Sequence, residues 1–189
     1  MIPDVMERTL LDPLRLENLA RLSIDINNEN VDGCVIEVGV YRGGSARWLA
    51  EANQLRKVYA FDTFTGLPHE PWDLDGHSKG DFAADYDDVL NYLAECWNVK
   101  LIKGIFPDVM PTEIEHVALA HIDVDLEQSA RESIIVLWPK LSPGGFIVFD
   151  DYNAEGCAGV KRAVDEMFPG QVEIGPHPQA WVRKPKEAR

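Results

Sequence analysis

The chain has 189 residues, 46% of them hydrophobic, which suits one domain over 1–189 with a sizeable core. Its formal charge of −14, from 32 acids against 18 bases, argues against nucleic acid and anionic membranes as partners. No apolar run reaches membrane-span length. The start Met1-Ile2-Pro3-Asp4 lacks the basic region and apolar core of a secretion signal, and Cys34, Cys96 and Cys157 form no zinc or redox spacing, so reduced thiols in a cytoplasmic protein are expected.

Residues 5–28 carry Leu11, Leu14, Leu19, Leu22 and Ile26 at near-helical spacing. Arg15, Glu17, Asn18 and Arg21 fill the other face, so the segment reads as an amphipathic helix covering a sheet. Cys34 to Val38 is a short buried strand, with Cys34 as a small core residue. Gly39-Val40-Tyr41-Arg42-Gly43-Gly44-Ser45 follows and leads into a helix through Trp48 and Leu49. Strand, glycine turn and helix form a cradle, because glycine lets backbone approach a ligand and the helix start offers N–H groups. The spacing is not the Gly-x-Gly-x-x-Gly of dinucleotide binders. Glu37 also places negative charge where a pyrophosphate would sit, and suits an ammonium group instead.

Val58 to Asp62 is the second strand. Asp62 lies about twenty residues past the turn, where a carboxylate meets ribose hydroxyls, so the two features together predict adenosine binding. The alternative is an aspartate that caps the next element. Residues 63–80 are rich in Pro, Gly, His and Asp and read as a long lid or binding loop containing His69 and His77. A helix is expected to start at Ser78 or Asp81 and run through Val89, Leu90, Leu93 and Trp97, with Asp85, Asp87 and Asp88 solvated. Val99 to Ile102 is the third strand, and Gly104-Ile105-Phe106 at its end suits the face of an adenine ring. Thr112 to Glu115 reads as a short helical connection.

Two acidic clusters dominate the second half. Val117-Ala118-Leu119-Ala120 leads to Asp123 and Asp125, and Phe146-Ile147-Val148-Phe149 leads to Asp150 and Asp151. Each cluster ends a buried strand and precedes a helix, at the edge where open α/β sheets bind ligands. Four carboxylates at one edge repel, and a hard divalent cation such as Mg²⁺ is the simplest remedy. The alternative is a set of helix caps. A helix from Glu127 to Trp138 stops at Pro139, and Ser142-Pro143-Gly144-Gly145 turns into the fifth strand. Val160 to Phe168 is helical, residues 172–174 and 180–183 form a closing hairpin, and Lys184 onward reads as frayed.

The alternation predicts an α/β fold, a doubly wound and mostly parallel sheet with a C-terminal antiparallel hairpin. Glu37-Val-Gly39-Val-Tyr41-Arg-Gly43-Gly44-Ser45, Phe61-Asp62-Thr63-Phe64-Thr65-Gly66-Leu67-Pro68, Asp123-Val-Asp125-Leu126 and Ser142 through Tyr152 together resemble the macrocin O-methyltransferase family. The resemblance extends through Gly159 to Glu166 and covers nearly the whole chain. It implies a seven-stranded class I methyltransferase fold and an S-adenosylmethionine- and Mg²⁺-dependent enzyme methylating a hydroxyl of a sugar or other small molecule. It implies cofactor contacts from Glu37, Gly39, Tyr41, Gly43, Ser45, Asp62, Thr63, Gly104, Phe106 and Asp123. Asp123, Asp150 and Asp151 would hold Mg²⁺ or another divalent cation, and Asp125 would be the general base. A homodimer or higher homo-oligomer is also implied. The family commonly has Tyr-Glu-Ser where this chain has Glu127-Gln128-Ser129. Two other readings are a nucleotide-sugar glycosyltransferase using Asp123-Val124-Asp125, and a cofactor-binding scaffold without chemistry.

Overall fold

The computed structural model describes residues 4–186. Residues 1–3, on which the expectation about a secretion signal rests in part, and residues 187–189 lie outside the described residues. The strands are β1 (Cys34–Val38), β2 (Val58–Asp62), β3 (Val99–Lys103), β4 (Val117–Ile122), β5 (Leu141–Phe149), β6 (Glu173–Ile174) and β7 (Ala180–Arg183). They form one sheet in the order β3-β2-β1-β4-β5-β7-β6. β1 to β5 pair in parallel, and β7 runs antiparallel to β5 and β6. The central strand β4 is buried along its whole length, as a parallel strand covered on both faces must be.

Helices α1 (Pro13–Asn28), α2 (Gly44–Ala52) and α3 (Tyr86–Leu93) pack Leu16, Leu19, Leu49 and Val89 onto a face made by Val35, Leu119 and Val148. Helices α4 (Glu127–Lys140) and α5 (Ala158–Met167) pack Ile134, Leu137, Val160 and Val164 onto the other face, made by Ile36, Ile122 and Ile147. Side chains alternate between faces with period two. Glu37, His121 and Asp150, each two residues beyond Val35, Leu119 and Val148, therefore fall on the α1 side of the sheet, at its C-terminal edge.

Several boundaries differ from expectation. The N-terminal helix is shorter than 5–28: Val5–Glu7 is a separate 3-10 turn, and α1 begins at Pro13 because the Asp12 carboxylate accepts from the Leu14 and Arg15 amides. Leu11 is buried ahead of the helix, and Leu14 is 63% exposed. α3 starts at Tyr86, capped by Asp85, while Asp81 instead accepts the Ser78 amide at 2.8 Å and closes the preceding loop. It ends at Leu93, so Trp97 lies outside it and is 76% exposed. Asp88 is tied to Arg8 at 2.8 Å rather than merely solvated. Residues 112–115 form a turn with no helix. Pro139 sits inside the last turn of α4 without stopping it, since it deletes only the bond to the carbonyl of Ile135, on the exposed face. Residues 142–145 belong to β5 as an irregularity: Val117 pairs with Leu141, but Leu119 pairs with Phe146. Lys184 is held, its amide donating to the Gly145 carbonyl at 2.9 Å. Cys34 opens β1 and is only partly buried, and all three cysteines are free.

Among the described residues no helix is long and apolar enough to cross a membrane. Leu119 is fully buried at the centre of the sheet. Leu119→Ala should lower unfolding free energy by about 2–5 kcal/mol, read from the urea midpoint. An unchanged midpoint would contradict this packing.

Candidate active site

The C-terminal ends of β1, β2, β4 and β5 surround a cavity of about 180 Å³. Its wall includes Gly39, Tyr41, Ser45, Asp62, Thr63, Gly104, Phe106, Asp123, Asp125, Asp150 and Asp151, so the structure gathers most of the expected site residues in one place. Glu37 and Gly43 are not in that wall. Glu37 is fully buried. Gly43 starts α2 with φ +89°, and a Cβ there would meet Val89 and Tyr92 of α3 at 3.1 and 3.2 Å. Ile105 is 40% exposed and also outside the wall, whereas Phe106 packs edge-on against Phe61 at 5.0 Å.

The glycine turn is shaped by two constraints. Gly39 has φ +90°, and a Cβ on it would lie 1.7 Å from the Asp123 carbonyl oxygen, so only glycine lets the two loops meet. Asp62 then fastens the turn: its carboxylate accepts from the amides of Val40 at 2.8 Å, Tyr41 at 2.9 Å and Phe64 at 2.7 Å. Much of its acceptor capacity is already spent on backbone.

Oxygens of Asp123, Asp150 and Asp151 lie within 4.8 Å of one another. Asp151 is buried and accepts from the amides of Val124 at 3.2 Å and Asp125 at 3.0 Å, which fixes the loop after β4. Asp125 adopts a left-handed backbone, φ 59°, a strained conformation for a non-glycine residue. Burial, then repulsion from Asp150 and Asp151, holds the Asp123 carboxyl well above the usual range. Burial, then Asp151 and Asp150, does the same to Asp125. Burial and Asp150 push Asp151 up to about 7. Among the described residues no cationic side chain pairs with Asp123 or Asp151. Three clustered carboxylates, two of them without a counter-charge, fit a divalent cation with oxygen preference.

Asp150 is compensated differently. Arg15 of α1 makes an ion pair with it, and Gln179 donates to it at 2.7 Å. His121 lies between two carboxylates, its Nδ1 3.1 Å from Glu37 and its Nε2 3.5 Å from Asp150. Burial alone would depress the His121 pKa, but the bonds to Asp150 and Glu37 outweigh it and lift the value to about 10. Burial opposes ionisation of Asp150 too, yet His121, Arg15 and Gln179 keep it below the usual carboxylate range. The remaining Glu37 oxygen, Oε2, is buried with no hydrogen-bond partner. A buried acceptor without a donor fits a ligand that brings one, such as an ammonium group.

Three of these residues escaped the sequence reading. Arg15 and Asn18 looked like the solvated face of α1, but Arg15 reaches Asp150, and Asn18 is buried and donates to Gln179 at 3.0 Å. His121 was passed over as part of a strand. Its signal was present: it is the one residue with a basic or acidic nitrogen or oxygen group in the apolar run 117–122, as Glu37 is in 34–38.

The loop over 63–80 lacks helix and strand as expected and continues without either to Asp85. It lines the cavity through Gly66, Leu67, Pro68, Asp81 and Phe82. It is pinned where the Gly76 amide donates to the Gly156 carbonyl at 2.6 Å and Asp75 accepts the Glu127 amide at 3.0 Å. Glu127 itself is buried and held by Arg131 and Arg162, which accounts for the acid at that position. His77 Nε2 lies 3.7 Å from Asp125 Oδ1, and the Cys157 thiol lies 3.9 Å from the same oxygen. His69 lies 3.5 Å from Glu132, outside the cavity wall.

A family model described as Macrocin-O-methyltransferase (TylF) matches residues 3–171. Demethyldecarbamoylnovobiocin O-methyltransferase of Streptomyces niveus is 31% identical, over 84% of this chain and 66% of that protein. The 8-demethyl-8-(2,3-dimethoxy-alpha-L-rhamnosyl)-tetracenomycin-C 4'-O-methyltransferase of Streptomyces olivaceus is 28% identical, over 79% of this chain and 64% of that protein. The chain thus spans about two thirds of the length of the curated relatives it matches. The solved structure of the O-methyltransferase NovP superposes with TM-score 0.82 at 26% identity, covering 95% of this chain and 83% of that one.

Asp62→Asn should loosen the turn, because its amide would face at least one backbone N–H donor. A loss of about 1–3 kcal/mol in urea unfolding is expected. Equal stability would show that the three bonds do not hold the turn.

Proposed function

The chain belongs to the macrocin O-methyltransferase family, and from that premise we propose that it is an S-adenosylmethionine-dependent O-methyltransferase using a divalent cation, Mg²⁺ in the first instance. Its acceptor is a hydroxyl of a sugar or another small natural-product-like molecule. The observation that carries this reading is the convergence of Asp123, Asp150 and Asp151 within 4.8 Å, beside the turn at Gly39 and Tyr41, in one cavity. The activities for which the relatives are named, O-methylation of natural products and in one case of a rhamnosyl group, support the acceptor class.

When bound, the sulfonium supplies an electrophilic methyl group, and the cation lowers the pKa of a coordinated hydroxyl. Asp123, Asp150 and Asp151 are the residues to hold the cation. Glu37, Gly39, Tyr41, Ser45, Asp62, Thr63, Gly104 and Phe106 are those to hold the cofactor, with Gly43 setting the start of α2 behind them. Asp125 receives the acceptor proton on a carboxylate oxygen. Asp151 holds the Asp125 backbone amide, so the base is placed by the same side chain that helps to form the cation site. Leu11, Leu67, Phe82 and Phe106 exclude water and align the acceptor, and alignment supplies much of the rate in a displacement of this kind. The same reading takes 1–189 as one domain, 63–80 as an acceptor-side lid, and the protein as a cytoplasmic homo-oligomer.

The test is calorimetric titration with S-adenosylhomocysteine and then Mg²⁺, on the natural chain and on Asp151→Asn. Both proteins should bind the nucleoside, and the variant should lose Mg²⁺ affinity by more than about tenfold. Asp125→Asn should lose methyl transfer to a glycoside while still binding the nucleoside. Full transfer in the presence of chelator would remove the cation from the reading. Absence of nucleoside binding would overturn it altogether.

A further inference from the structure

A second group of donor atoms meets beside the cavity, and only one of its residues, Asp125, has a part in the function proposed above. His77 Nε2 and Cys157 Sγ approach the same oxygen, Asp125 Oδ1, at 3.7 and 3.9 Å. One donor atom from each of the three residues falls within 4.8 Å of the other two. They come from three segments: the long loop, the loop after β4, and the residue that precedes α5. The main chain brings them together. The Gly76 amide donates to the Gly156 carbonyl at 2.6 Å, and Asp75 pairs with Cys157 in an isolated antiparallel bridge. The His77 ring packs edge-on against Phe82, a residue of the cavity wall, at 5.1 Å. Backbone pairing thus sets His77 beside Cys157 without any attraction between the side chains.

The donor set differs from the acid cluster in kind. Asp123, Asp150 and Asp151 offer oxygen alone, whereas this group offers an imidazole nitrogen, a sulfur and one carboxylate oxygen. Thiolate and imidazole select Zn²⁺ over Mg²⁺. A tetrahedral Zn²⁺ with bonds of about 2.0–2.3 Å needs donors roughly 3.4–3.6 Å apart. The two measured separations slightly exceed this, and His77 lies on a loop without helix or strand, which can close the difference. The Cys157 side chain stands at the start of α5 but caps no amide there, so its sulfur is not spent on the helix. The His77 and Asp125 side chains are partly exposed, 29% and 18%, and open the group to an ion from solvent.

We propose that His77, Asp125 and Cys157 form a Zn²⁺ site whose occupation withdraws Asp125 from catalysis and ties the long loop to the start of α5. The inhibitory half rests on the proposed function, in which Asp125 is the base; the binding half does not. Burial, then Asp151, Asp125 and Asp123, hold the Cys157 thiol above its ordinary range, so the free protein keeps the thiol proton. On binding, that proton leaves to solvent and the ion takes its place. The fourth position stays open to water, as in other sites with three protein ligands.

The first measurement is titration of Co²⁺, a spectroscopic substitute for Zn²⁺, into the protein already saturated with Mg²⁺. A thiolate-to-cobalt charge-transfer band should grow to one equivalent and vanish when Zn²⁺ is added. Cys157→Ser should lose the band, and Cys34→Ser, which removes a partly exposed thiol elsewhere, should keep it. Because Cys157 is buried, His77→Gln on the loop is the second variant: its Zn²⁺ affinity by calorimetry should fall by more than about tenfold, at least the loss seen when an outer-shell partner is removed. No band in the natural chain, a band that survives in Cys157→Ser, or full Zn²⁺ affinity in His77→Gln overturns the site. The second measurement is methyl transfer to a glycoside in saturating Mg²⁺. Zn²⁺ should inhibit it reversibly, and Cys157→Ser should need more than about tenfold more Zn²⁺ for the same inhibition. Inhibition equal in both proteins places the effect elsewhere and overturns the inhibitory half. Zn²⁺ bound with the expected band but without inhibition contradicts the role of Asp125 as base, and so counts against the proposed function rather than the site.

Discussion

The placement of unlike charges in a buried row, Glu37, His121, Asp150 and Arg15, underlies the site. Burying a carboxylate is unfavourable by several kcal/mol unless it is paired. Here the carboxylates of Glu37 in β1 and Asp150 just past β5 face the two ring nitrogens of His121 in β4, which lies between those strands, and the helix laid over that face supplies a guanidinium. The C-terminal edge of the sheet can therefore hold acids at positions where apolar residues fill the rest of each strand. α1 does more than cover the sheet, because Arg15 and Asn18 complete the polar row that the strands begin.

The second acid group is held by a different principle. Asp123, Asp125 and Asp151 are arranged by backbone rather than by cations. Asp151 accepts two amides of the loop after β4, and Gly39 lets that loop lie against the glycine turn. Asp62 plays the matching part on the other side and accepts three amides. Carboxylates thus serve as clamps for the loops that carry the site, and the loops in turn keep the acids close despite their repulsion. Burial first, and then that repulsion, raises the proton affinities of Asp123, Asp125 and Asp151.

The departure at Glu127 belongs to the same economy of charge. Its buried carboxylate joins Arg131 of α4 to Arg162 of α5, and its amide holds Asp75 of the long loop. The loop that lines part of the cavity is therefore also anchored where α4 packs against α5.

The order of strands and helices, the glycine turn, and the acids at strand ends were legible in the sequence, because each is a local signal. Apolar runs of strand length mark buried parallel strands, and glycine and aspartate mark the turns between them. β1 and β2 fell at the expected residues for that reason. Helix starts were less legible. Whether Asp81 or Asp85 caps α3 depends on which carboxylate the loop leaves free, and Asp81 is taken by the Ser78 amide. The roles of Arg15, Asn18 and His121 were decided only by tertiary structure. Periodicity gives the face of a helix or strand but not what lies opposite it. Arg15 and Asp150 are 135 residues apart, and Glu37 and His121 are 84 apart. The register of the parallel sheet and the docking of α1 bring each pair together, and sequence position alone does not determine either.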